Sequence, residues 1–253
     1  MTPQGFQLRT QQFLLQKSGQ ALAECEDAIA VNAARLRYAV ADGATEAFDA
    51  GSWAKRLARG WVEAKTPALD AEDFGAWVEA EGKSLHDSWA GLRLAWYAEE
   101  KARSGSYAAF VGVEFSPAGE RPRWQAIALG DSCLLHCRDG EVLASLPLSD
   151  YRRFNAAPVL VPSLTGLQRA ALSQAVASHG EARDGDLFLL MSDAAAAWYL
   201  MMTEVRDPRR AEFDSSLAGS KQEELAQLFE RERRSHRIKD DDVAILRIEI
   251  AYK

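Results

Sequence analysis

The chain has 253 residues, 47% of them hydrophobic and 26% charged, an ordinary globular composition long enough to bury a core without disulfides or a structural metal. Its 37 acidic residues outnumber 30 Lys and Arg, for a formal net charge of −7, which argues against nucleic acid or an anionic membrane as the main partner. The three cysteines, Cys25, Cys133 and Cys137, are an odd number in a long chain and point to a reducing compartment rather than a disulfide framework.

The first fifteen residues lack a basic stretch followed by a long apolar run, so no secretory signal is expected, and no run approaches the length needed to cross a bilayer. The expected compartment is the cytoplasm. Residues 6–15 read as a first strand, followed by strands over 26–31 and 35–41. In the latter, Leu36, Tyr38 and Val40 alternate with Arg35 and Arg37. Residues 49–64 switch to helical spacing, with Trp53, Leu57 and Trp61 on one stripe ended by Thr66-Pro67. Residues 71–103 read as one long helix or two shorter ones, with Leu85, Trp89, Leu92 and Trp96 repeating at four, three and four residues as a face packed on a sheet.

Strands are expected again over 107–115, 123–130, 132–138 and 141–146, the last two joined by an Asp139-Gly140 hairpin turn. Cys133, His136 and Cys137 lie close together, but no second Cys/His pair is near to complete a zinc site. Residues 147–170 read as irregular, 171–179 and 186–192 as strands, Ala194 as the start of a short helix, 221–235 as another helix and 242–250 as a closing strand. This order lacks the β-α-β alternation of a parallel sheet. It predicts a single α+β domain over 1–253, a central antiparallel β-sandwich flanked by helices on both sides in four αββα layers.

Carboxylates recur where apolar strands begin or end: Glu26-Asp27 before AIAV, Asp42 after YAVA, Asp131 after AIALG, Asp193 after LFLLMS, and Asp240-Asp241-Asp242 before VAILRI. Each alone has an ordinary reading: Asp42-Gly43 a turn, Ser192 or Asp193 a helix cap, Gly130-Asp131 a hairpin, the Asp run a solvated loop. Together at the end of one sheet system they would repel one another, and a hard divalent cation bound through oxygen supplies the missing charge. Mg²⁺ and Mn²⁺ suit such a set, and Gly43 is small enough for its carbonyl to join it.

These pieces, ECED at 24–27, AVADGATE at 39–46, SGSYAAF at 104–110, ALGDS at 128–132, GDLFLLMSDA at 185–194 and DDDVAIL at 240–246, occur in the order found in a known family. Over residues 18 to 250 the chain resembles the type 2C, or PPM, metal-dependent protein phosphatases of bacteria. The resemblance implies hydrolysis of phosphoserine or phosphothreonine on proteins by attack of a metal-bound hydroxide on phosphorus, with two Mg²⁺ or Mn²⁺ per chain and room for a third. It implies that Asp42 bridges two metals and the Gly43 carbonyl binds one. It further implies that Asp193 and Asp241 bind the other, that Glu26 and Asp27 act at the second metal, and that Asp131 serves a third. Implied partners are a phosphoprotein substrate and a cognate Ser/Thr kinase, with neither nucleic acid nor membrane, and a monomer is expected.

The sequence departs from the family where substrate is handled. Leu22 stands where many members have a phosphate-gripping Arg, leaving a cation such as Lys17 for that task. Ala44 replaces a His, Ala194 a Gly, and Asp242-Val243-Ala244 an Asn-Val-Thr. The stretches at 48–51 and 155–163 resemble a bacterial subgroup. The alternative reading is a regulatory module of the same fold that binds a phosphoprotein or kinase without turning it over.

Overall fold

A computed structural model describes residues 5–118, 121–155 and 157–252. Two antiparallel sheets lie face to face. The first runs β1 (Phe6–Leu15), β11 (Val243–Tyr252), β10 (Leu187–Met191), β6 (Cys133–Arg138) and β7 (Glu141–Leu146). The second runs β2 (Asp27–Asn32), β3 (Arg37–Gly43), β4 (Tyr107–Ala118), β5 (Arg121–Leu129) and β9 (Val176–Glu181), with the two-residue β8 (Val161–Pro162) beside β4. On the second sheet lie α1 (Ala50–Glu63), α2 (Ala71–Trp89) and α4 (Thr165–Leu172). On the first lie α5 (Asp193–Glu204), α6 (Arg209–Ala218) and α7 (Gln222–Arg234). The short α3 (Trp96–Ser104) follows α2.

Strand alternation creates these layers. Along β3, Tyr38 and Val40 point between the sheets, toward Phe188, Leu190 and Leu246, while Ala39 and Ala41 point outward against α1. The small outward residues let α1 lie close. A Cβ on Gly112, in β4, would meet the Trp61 indole of α1 at 2.6 Å. The first sheet repeats the pattern: Leu135, Leu189 and Ile245 face outward to Trp198, Phe213 and Phe229 of the helices. The expected four-layer αββα sandwich is the observed one.

Residues 71–103 take the second of their two expected forms, a pair of shorter helices, and some residues and elements differ from expectation. The long helical stretch breaks after Trp89, where Gly91 takes a left-handed φ of 85°. Leu92 and Trp96 are 54% and 79% exposed, so the Leu85–Trp96 repeat is no continuous core face. Residues 171–179 are not one strand. They hold the end of α4, which buries Gln168 and Leu172, a turn, and the start of β9. α6 was not expected. It begins after Pro208 and buries Phe213, Ser216 and Leu217 at helical spacing within an otherwise charged stretch. Arg37, placed on a polar face by the alternation, is buried and paired with Glu114 at 2.9 Å. Of the stretches singled out at 147–170 and 155–163, Ala156 lies outside the described residues. The Asp139-Gly140 turn is as expected, both residues having positive φ.

Among the described residues, no helix is long and apolar enough to cross a membrane. Gly112→Ala is expected to force α1 off the sheet and destabilise the fold by about 1–3 kcal/mol, read as a lower urea midpoint.

Candidate metal and phosphate site

Because Tyr38, Val40 and Asp42 share one face of β3, Asp42 continues the row between the sheets, at the end where the row opens. Asp27 is its direct cross-strand partner and lies on the same face as Ile29 and Val31. Two carboxylates opposite each other destabilise a strand pair, so their placement needs another cause. From the other sheet, β10 ends at Met191 and hands over to Ser192 and Asp193, while Asp241 and Asp242 lead into β11. Asp131 follows β5 through Gly130, whose φ of 104° and closeness to Ala109 exclude a side chain.

These groups act on one another. Burial first, and then the charges of Asp27, Asp193, Asp131 and Asp241, push the Asp42 carboxyl well above the usual carboxylate range. Asp27 is likewise raised well above it, chiefly by burial and then by Asp242, Asp193 and Asp241, against the opposing effect of a hydrogen bond with the Ser192 side chain. Burial and Asp193 push Asp131 up to about 7. Asp27 is 1% exposed, and its Oδ2 has no hydrogen-bond partner.

The acidic run before β11 divides its tasks. Asp242 accepts from the backbone N–H of Lys17 at Oδ1 and of Glu26 at Oδ2, both at 2.8 Å, tying β11 to the segments before β2. Asp240 accepts from the backbone and hydroxyl of Ser18 and pairs with Arg233 at 3.5 Å. Asp241 instead meets Lys239, whose Nζ lies 2.5 Å from Asp241 Oδ2 and 2.9 Å from Asp193 Oδ2. Glu26 turns its carboxylate to Lys17 Nζ at 3.7 Å, and its carbonyl accepts from the Gly43 N–H. A Cβ on Gly43 would lie 2.7 Å from the Ala50 carbonyl oxygen and 3.0 Å from that of Glu26, so close packing requires glycine there.

Asp27, Asp42, Asp131, Asp193 and Asp241 are therefore brought within electrostatic reach of one another, while Glu26 stands beside them on Lys17. Asp242, not singled out as a separate brace by its sequence position, is one. Among the described residues, no three His, Cys, Asp or Glu side chains converge in an arrangement able to hold a metal ion. The donor chemistry nonetheless suits a hard divalent cation: the groups are all oxygen and mutually repelling, Asp27, Asp131 and Asp193 are buried and Asp42 and Asp241 half-buried, and Asp27 has an orphaned carboxylate oxygen. Asp42 lies within a strand rather than a turn, and Ser192 makes no side-chain cap to α5. Ala194 sits inside α5 rather than in a left-handed conformation, so it needs no glycine. The Cys133 and Cys137 thiols face the outer helices, while His136 lies on the opposite face, stacked on Phe188 and hydrogen-bonded to Asp186 at 2.8 Å.

No family model and no curated protein sequence matches the chain. Solved structures do. The catalytic domain of the serine/threonine protein phosphatase PstP, in complex with two manganese ions, matches over 98% of this chain and 100% of its own, at 16% identity and a TM-score of 0.61. The chain has the PPM phosphatase fold. PppA of Pseudomonas aeruginosa, described as a key regulatory component of T6SS, matches over 98% and 100% at 14% identity and a TM-score of 0.59. RsbX in complex with magnesium matches over 96% of both chains at 15% identity and a TM-score of 0.53. At such identities the likeness to these PPM proteins is one of fold.

Folding raises these carboxyl pKa values, so between about pH 4 and 7 the native chain binds more protons than the unfolded one, and stability falls as pH rises through that window. Asp131→Asn removes one such group. In chelator it is expected to stabilise the protein at pH 8 by roughly 2–4 kcal/mol and to change little near pH 4, measured by urea denaturation at both pH values.

Proposed function

We propose that the chain is a metal-dependent phosphatase acting on phosphoserine or phosphothreonine in proteins. The observation that carries this reading is the gathering of carboxylates from both sheets at one end of the sandwich, with the pKa values of Asp27, Asp42 and Asp131 raised and one buried oxygen of Asp27 orphaned. In this reading Asp42, Asp193, Asp241 and the Gly43 carbonyl hold two Mg²⁺ or Mn²⁺ ions, with Asp27 and Glu26 at the second and Asp131 at a third. Bound divalent cations would supply positive charge to the phosphoryl oxygens and lower the pKa of a water molecule.

The chain's own groups position and grip. The Ser192 hydroxyl bonds Asp27, and its oxygen accepts from the Ala244 N–H at 2.9 Å, fixing that carboxylate against β11. Leu22, at the place of the family's arginine, is 54% exposed and offers no charge. Lys17 supplies one: its ammonium stands between Glu26 and the Thr45 hydroxyl, 3.3 Å away, two residues beyond Gly43. We assign it the phosphate grip. Beside Ala44 opens a groove of about 680 Å³ lined by Ala47, Trp96, Tyr107 and Leu160, with Glu46, Glu100 and Lys101 also in its lining. It would give the flanking chain of a phosphoprotein an apolar surface that begins at Ala44, two residues along the chain from Asp42. A cognate Ser/Thr kinase would supply that phosphoprotein.

The second reading, a binding module without turnover, is favoured by the uncharged Leu22 and Ala44. The two separate in one experiment. The phosphatase reading predicts Mn²⁺- or Mg²⁺-dependent hydrolysis of an aryl phosphate and of a phosphothreonine peptide, abolished by EDTA. Asp42→Asn should lose about 10³-fold or more in kcat while keeping its far-UV circular dichroism. Lys17→Ala should raise KM for both substrates by about tenfold with a smaller change in kcat. A folded protein that binds the phosphopeptide but turns over neither substrate with any divalent cation would establish the module instead.

A further inference from the structure

Lys239 lies just before the acidic run that matches the PPM pattern, and it is not one of the groups implied by that resemblance. Its ammonium touches two carboxylates from different elements, Asp193 at the start of α5 and Asp241 before β11, at 2.9 and 2.5 Å. It also acts electrostatically on Asp131. Among the described residues, no other cation lies within ion-pair distance of Asp193 or Asp241, and none pairs with Asp27, Asp42 or Asp131. One lysine therefore carries the local neutralisation of the cluster.

We propose that Lys239 is an internal counter-cation that a divalent ion must displace from Asp193 and Asp241, so that this side chain sets the site's affinity for metal. The inference rests on the metal-binding reading of the site and adds its regulation.

Three features make the displacement workable. The Lys239 side chain is 62% exposed, so its stem is not packed into the core and can swing away. The backbone it hangs from is held independently. The buried Arg233 guanidinium donates to the carbonyls of Gln16, at 2.9 Å, and Asp241, so the lysine can leave without moving the carboxylates. A lysine is a compact point charge on a flexible chain, which suits a removable partner better than the bidentate fork of an arginine. A divalent ion offers twice its charge to the same oxygens, but entry is opposed by the two ion pairs it must break. The site then loads only above a threshold of divalent ion, higher than the carboxylates alone would set.

The test is Mn²⁺ binding, not turnover. Chelator-stripped wild type, Lys239→Met and Lys239→Gln, each as the 253-residue chain, are titrated with Mn²⁺ by calorimetry at fixed pH and low salt, with cooperative thermal melts confirming the fold. Both variants are expected to bind Mn²⁺ about tenfold or more tightly than wild type. In EDTA they are expected to melt below wild type, because Asp193 and Asp241 lose the cation that pairs with both. Equal or weaker Mn²⁺ binding by the variants would overturn the inference while leaving the metal site standing. Failure of wild type and variants alike to take up Mn²⁺ would overturn both the inference and the reading of the site on which it rests.

Discussion

The rest of the structure is arranged around a concentration of negative charge in a place that disfavours it. Asp27 and Asp42 sit directly across a strand pair, on the face that becomes apolar two residues further in, and Asp131, Asp193 and Asp241 raise the charge density further. No local propensity leads to such a placement. It is held by the packing of two sheets through Tyr38, Val40, Phe188, Leu190 and Leu246, and of three helices against each outer face. The carboxylates gain little from one another, and what they gain together is the capacity to bind a cation strongly.

Rigidity at that end comes from polar groups that resemble ligands but act as braces. Asp242 spends both oxygens on the N–H groups of Lys17 and Glu26, which lie in sequence some 220 residues away. Asp240 accepts at one oxygen from both the backbone N–H and the hydroxyl of Ser18, and Arg233 clamps the carbonyls of Gln16 and Asp241. Ser192 joins Asp27 of one sheet to Ala244 of the other. The two sheets are thus stitched at the open end by hydrogen bonds, where apolar contact runs out. Charged residues that would be free in a loop are consumed by structure, leaving Asp241 as the member of its run available to the cluster.

Much of this was legible in the amino-acid order, for a physical reason in each case. Alternation in β3 and the Asp139-Gly140 turn are local properties, and they read directly. The sandwich followed from the absence of β-α-β alternation. The parts that were not legible depend on distant contacts. The charged face of α6 hides Phe213, Ser216 and Leu217, whose burial depends on α5 and α7. Leu92 and Trp96 carry the spacing of a core stripe, but the left-handed Gly91 takes the chain out of the helix before they can use it. The carboxylate positions could be read from strand ends, whereas the roles of Asp242 as brace and Lys239 as counter-ion are set by partners across the sandwich.

The PPM fold accounts for where these groups stand, and the chemistry depends on what they hold. The most direct test is a crystal of the chelator-stripped protein soaked in Mn²⁺ and measured at the manganese absorption edge. The account predicts two anomalous peaks that share Asp42, one of them bound by Asp193 and Asp241, with the Lys239 ammonium withdrawn from both. Density with no anomalous peak among these carboxylates, and Lys239 still seated on Asp193 and Asp241 at saturating Mn²⁺, would contradict it.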